Sequence, residues 1–406
     1  MTDPTTLPQP IFDTLESLEN DEAPLPSYAV EDDFAITRAF LLAYRGSPDT
    51  YHSYRREVDR FLQWVYLIAQ MPLRQLDRED LENYIRFCQK PPNKWIATKM
   101  VSRFLIKDGV KQVNIEWRPF VAKVSKEAHN DGKKPTAKRF RLSDQGVAAI
   151  LRILSTYFSF LELEGYVESN PVKKIRQKSQ FIRKKPTQEL IRRLSELQWD
   201  YVIETADFMA ADDALHERTL FIMSALYGMY LRISELVDTP RWSPMMKHFF
   251  QDMDANWWFR TVGKGNKERD ITVSSDMLKA LKRYRKSQGL SALPSPGDSL
   301  PLIPKQKGNG GIGSTRQLRV IVQSCFDTAV LRLRTDNMVS DADNLQSATV
   351  HWIRHTGISD DVKKRPKEHV RDDAGHSSSA ITDRYVDIEK RERHASAKKK
   401  KLRPIN

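Results

Sequence analysis

With 406 residues, 40% of them hydrophobic, and a formal net charge of +13, the chain is long enough for two or three domains with ordinary cores. Two cysteines exclude a disulfide framework and a paired-cysteine zinc site, and the sequence holds no run of eighteen apolar residues. The surplus of Lys and Arg, 66 against 53 Asp and Glu, suits a polyanion, because neutralising phosphate releases counterions; charge alone leaves a basic protein without such a partner equally open.

The first 33 residues hold nine acids, several prolines and no Lys or Arg. That composition buries too little apolar surface to offset chain entropy, so residues 1–33 are expected to form an acidic flexible tail. A secretory leader would be basic and then apolar, and a cytoplasmic, nucleoid-associated location is expected. From Asp49, the residues Tyr51, Tyr54, Val58, Phe61, Leu62, Val65 and Ile68 recur at three- and four-residue steps. They predict one amphipathic helix, with Arg55, Arg56 and Arg60 off its apolar stripe. Asp77 can cap a second helix through Leu81, Tyr84, Ile85 and Cys88, which Pro91 and Pro92 end. Residues 93–141 mix Trp95, Phe104, Trp117 and Phe120 with a basic run from Gly132 to Arg141, and show no period that assigns their fold. Ser143 then caps a long helix with Val147, Ile150, Leu151, Leu154, Tyr157, Phe158 and Leu161 inside, ending at Gly165. Asn170-Pro171 closes a domain over 34–171.

A basic linker is expected over 172–186, where Lys173, Lys174, Arg176, Lys178, Arg183, Lys184 and Lys185 occur with no acid among them. The plain reading is a solvated linker; one that passes along a duplex would lay these charges on phosphates. In the domain over 187–390, Leu220 to Tyr230 read as a buried helix in which Gly228 allows close packing or a break before Arg232, and Arg232 and Glu235 are spaced for an i, i+3 pair. Two β-like runs, Trp257 to Val262 and Asp270 to Val273, flank Gly263 to Glu268, a hairpin that presents Lys264 at its tip. Gly308 to Gly313 lacks the Lys-Ser/Thr ending of a phosphate loop and is expected to be flexible. His351 and Arg354 share a helix face, with His355 adjacent. Gly375-His376 precedes Tyr385 by nine residues, counted from the histidine, and residues 391–406 form a basic tail.

In their order along the chain, Leu231-Arg232-Ile233-Ser234-Glu235, Gly263-Lys264-Gly265-Asn266-Lys267-Glu268-Arg269, His351-Trp352-Ile353-Arg354-His355-Thr356 and Gly375-His376 with Tyr385 resemble the active-site motifs of the tyrosine recombinases. The resemblance implies an α-rich two-domain fold: a helical core-binding domain with a SAM-like fold, then a mainly α catalytic domain with a small antiparallel β-sheet. It assigns Tyr385 as nucleophile, Arg232, Lys264, His351, Arg354 and His376 as catalytic partners, and Glu235 as a supporting acid. It also implies Lys267 and Arg269 on phosphate, double-stranded DNA as substrate, a tetramer on paired sites that is monomeric when free, and neither metal nor other cofactor. A phenol with pKa near 10 attacks a phosphodiester only when its proton is removed, and two planar, permanently charged guanidinium groups suit the oxygens of the transition state. Two alternatives share part of this pattern: a type IB topoisomerase and a DNA-binding accessory protein without activity.

Overall fold

Aromatic and aliphatic residues at helical spacing build the first half of the chain. The computed structural model describes residues 6–20, 25–130, 132–176, 192–263, 265–378, 382 and 397–398, and the chain divides into two compact units, Met1–Thr187 and Gln188–Asn406.

The N-terminal unit begins earlier than its acidic composition suggests. Ile11 and Phe12 are fully buried, their amides donate to the Asp59 carboxylate, and the short helix α1 (Leu15–Glu19) follows with Thr14 as its cap. The expectation of a flexible tail is therefore corrected for residues 6–20. Three apolar side chains, Ile11, Phe12 and Leu18, enter the core, and the nearby acid Asp13 pairs with Lys111 at 2.6 Å.

Helices α2 (Glu31–Leu42) and α3 (Pro48–Trp64) come next. The predicted stripe of α3 is inside at Tyr51, Val58, Phe61 and Leu62. Beyond Trp64 the helix widens into a π-turn, Val65–Ala69. Its extra residue rotates the stripe, and Ile68 lies exposed. Arg60, expected outside, is buried on Glu57 at 2.8 Å with its guanidinium over the Phe120 ring.

Asp77 and Asp80 form a reciprocal capping box on α4 (Arg78–Gln89). Residues 93–141 then resolve into β1 (Ile96–Ala97), the hairpin β2 (Phe104–Lys107) and β3 (Val110–Val113), β4 (Phe120–Val121) parallel to β1, and α5 (Lys126–Asn130). Ser143 caps α6 (Asp144–Leu163) as predicted. Long and apolar enough to cross a membrane by length and composition, α6 here buries nine residues in this unit. Pro171 opens a helix where the sequence suggested a stop: α7 (Pro171–Arg176) buries Val172 and Ile175. Proline fits a first turn because its missing N–H would have no helical partner, and the Asn170 side chain caps Val172 and Lys173. The expected linker thus starts as packed helix.

The C-terminal unit places α8 (Glu196–Asp212) and α9 (Glu217–Gly228) before a three-stranded antiparallel sheet. Its strands β5 (Phe249–Gln251), β6 (Trp257–Val262) and β7 (Glu268–Thr272) lie in sequence order. Phe259 pairs across from Ile271, and both enter the core. Helices α10 (Ser275–Ser287), α11 (Thr315–Thr335), α12 (Val339–Gln346), α13 (Val350–Asp361) and α14 (Lys367–Ala374) complete the unit. The glycine-rich stretch is tied down at its end, against expectation: Gly311 donates to the Asp238 carboxylate at 3.1 Å, and buried Ile312 accepts from the Asp238 amide. Cys88 and Cys325 are free thiols inside the two cores.

Candidate active site

Helix α9 stops at Gly228, and the chain crosses Tyr230 in the left-handed region at φ 49°. Arg232 is therefore extended and precedes a 3-10 turn, Ile233–Leu236: of the two roles open to Gly228, the break before Arg232 is the one adopted. The turn wraps back far enough to keep the predicted pair: Glu235 accepts from the Arg232 amide at 2.8 Å and from its Nη1 at 3.0 Å.

Arg354 reaches the same place from α13. Gly357 lets that helix lie against the end of α9, since a Cβ there would stand 2.2 Å from the Tyr227 carbonyl oxygen. Arg354 is buried; Nη1 donates to the Tyr230 carbonyl and Nη2 to the Ala374 carbonyl at 2.6 Å. The unusual backbone at Tyr230 turns its carbonyl toward that guanidinium, a local strain of the kind found at functional sites. His351 lies one turn before Arg354, with its ring edge-on to His355 at 4.4 Å.

Gly375 caps α14 at φ 64° and delivers His376. The Nε2 of His376 lies 3.5 Å from Arg354 Nη2, and Nδ1 lies 2.9 Å from the hydroxyl of buried Thr382. A neutral ring that donates from Nδ1 to Thr382 leaves its Nε2 lone pair facing Arg354.

Charge then fixes protonation. Burial lowers the His376 pKa to about 4, helped by the charges of Arg354, Arg232 and Arg269. His355 falls to about 3 through burial and then His351, Arg354 and His376. His351 is lowered by desolvation against its neighbours, then by Arg354 and Arg232. Glu235 runs the other way: burial would raise its pKa, but the hydrogen bonds and charge of Arg269, with the Arg232 amide and the charge of Arg354, hold it below the usual carboxylate range. At neutral pH the site is a group of cations, neutral imidazoles and one ionised, buried carboxylate.

No protein-family model matches the chain. It is 27% identical over 194 residues to tyrosine recombinase XerC of Vibrio atlanticus, covering 48% of this chain and 52% of that protein. It is 25% identical over 251 residues to XerC of Oceanobacillus iheyensis, covering 61% and 72%. The chain thus spans about half the length of the first of these curated relatives. In fold it is similar to the XerH site-specific recombinase in a post-cleavage complex with palindromic difH substrate, with a TM-score of 0.56 at 13% identity over 95% of this chain and 93% of that one. The chain is thus similar in sequence to curated tyrosine recombinases and in fold to a solved one.

Arg232 with Glu235, His351 with Arg354, and His376 converge from three segments. Lys264 and Tyr385 lie outside the described residues, as do Lys178, Arg183, Lys184, Lys185 and most of the basic tail over 391–406. Arg176 ends α7. Lys174 and Lys267 are exposed, and Lys173 is exposed with Glu162 2.9 Å away. Arg269 departs from its expected place on phosphate: its side chain is 10% exposed, Nη1 and Nη2 grip the Glu235 carboxylate at 2.9 and 2.8 Å, and Nε donates to the Asp373 carbonyl at 2.9 Å. Sequence reasoning also passed over the Tyr230 carbonyl and Thr382. No side-chain pattern marks a carbonyl, and Thr382 is one hydroxyl among several beside Ser377 and Ser378.

Proposed function

We propose that this chain is a tyrosine recombinase that cuts and rejoins double-stranded DNA through a covalent 3′-phosphotyrosyl ester on Tyr385. The observation that supports this best is the convergence of Arg232, the His351–Arg354 helix and His376 from three segments. Arg232 and Arg354 hold the non-bridging oxygens of the scissile phosphate, where negative charge grows as the phosphorus becomes five-coordinate. The Tyr385 oxygen attacks phosphorus and its proton passes to His351, whose lowered pKa keeps it in the accepting form at neutral pH. The bond to the 5′ oxygen breaks and Lys264 protonates that oxygen, leaving a free 5′ hydroxyl. With phosphate bound, the neutral His376 ring takes its other tautomer, accepting from the Thr382 hydroxyl at Nδ1 and donating from Nε2–H to a phosphate oxygen. Attack by the 5′ hydroxyl of a second duplex reverses the steps and completes strand exchange.

In this reading the N-terminal unit acts as the core-binding domain. Lys173, Lys174, Arg176, Lys178, Arg183, Lys184, Lys185 and Lys267 meet DNA phosphates. Free monomers assemble into a tetramer on paired sites, and the protein works at the nucleoid.

Strand exchange between two duplexes carrying DNA from the flanks of the native gene tests recombination directly. Recombinant joints between the two are expected. Relaxation of supercoiled plasmid without any joint would favour a topoisomerase instead.

A further inference from the structure

All three guanidinium nitrogens of Arg269 donate to protein oxygens. It stands on β7 opposite Thr261, on the strand face that Ile271 carries into the core, just after the turn that joins β6 to β7. Both of its terminal nitrogens meet both oxygens of Glu235, a bidentate pairing that fixes orientation as well as distance. The same carboxylate accepts from the Arg232 amide and Nη1. Its Nε holds the Asp373 carbonyl, and the Asp373 side chain in turn accepts from the Thr272 amide and hydroxyl.

Two glycines leave room for this arrangement. A Cβ at Gly263 would meet Arg269 Nη1 at 2.9 Å and Glu235 Oε1 at 3.3 Å, and a Cβ at Gly375 would meet Arg269 Cδ at 2.9 Å. One side chain thus spans the Arg232 turn, the base of the Lys264 hairpin and the residue before His376.

We infer that Arg269 is a positioning residue: it holds Glu235 ionised and oriented so that Arg232, the hairpin and His376 keep a common register for one phosphate, and it does not contact DNA. This rests on the proposed DNA-cleaving function. Its geometry argues against a phosphate contact, because freeing the fork for DNA would leave the buried Glu235 carboxylate without its bidentate partner, a costly state for a charge.

The test compares wild type, Arg269→Gln and Arg269→Lys in single-turnover cleavage of a nicked suicide duplex across pH, beside duplex binding across salt. Displacing a positioned group by about 1 Å costs on the order of 100-fold in rate, and that loss is expected for Arg269→Gln while affinity and salt dependence stay at wild-type values. Arg269→Lys keeps the charge but not the fork, and should recover part of the rate.

The acid limb of the rate profile should move to higher pH in Arg269→Gln, because Glu235 then protonates more readily. A simple loss of folded protein would lower the amplitude without moving that limb. Weaker binding with a salt slope reduced by about one charge would place Arg269 on phosphate and overturn the inference, as would an unchanged cleavage rate and pH profile. If wild type forms no adduct, the proposed function itself fails; an adduct in wild type with no change in the variants rejects only the role of Arg269.

Discussion

Burial first, and then the charge of Arg354, which suits a phosphate, keep the imidazoles of His376 and His355 neutral. For His376 and His355 the folded pKa values, about 4 and about 3, lie below the usual 6.5. Between those limits the unfolded chain takes up a proton that the folded chain refuses. The contribution of both groups to stability is therefore complete above about pH 6.5 and is lost as pH falls toward their folded values. A nitrogen-15 NMR titration should find both rings neutral at pH 6; a midpoint near 6.5 for either would contradict the burial and arginine field described here. At this scale helical spacing was enough to put His351 and Arg354 on one face, as α13 does, while their selection over His355 rested on the family resemblance. Arg269 was not, since its charged neighbours Glu268 and Asp270 resemble a solvated hairpin. Alternation from Ile271 carried the missing signal: two residues back along a strand returns to the same, inward face.

Elements announced by caps and periods were readable, as Ser143 before α6 and Asp77 before α4 show. Elements held by long-range pairing were not. The β1–β4 pair joins Ile96 to Phe120, and no local pattern gives that register. The N-terminal segment misled for a related reason: acidic composition averages over residues, whereas Ile11 and Phe12 act singly by filling places in the core, with the Phe12 ring stacked on Phe34 at 5.3 Å. Truncating a buried aromatic costs roughly 3–5 kcal/mol. Phe12→Ala in the full chain should lose an amount of that order in urea unfolding followed by circular dichroism. A loss below about 0.5 kcal/mol, ordinary for an exposed site, would restore the flexible tail.

For the whole molecule, the resemblance and the fold class were legible because four short motifs stand in order along the chain. The chemistry constrains those few residues, while the helices that carry them need only suitable apolar spacing. What holds the motifs in register, the Tyr230 carbonyl, Arg269 and Thr382, depends on backbone direction and packing between distant segments, which a linear pattern does not record. The central claim is that Tyr385 carries the cut strand. It is tested most directly by presenting a nicked suicide duplex from the flanks of the native gene to wild type and Tyr385→Phe, then measuring binding and covalent adduct together. The account predicts that both proteins bind, that only wild type becomes attached, and that the attachment is to a 3′ phosphate. An adduct in Tyr385→Phe, or none in wild type while binding is intact, would contradict it.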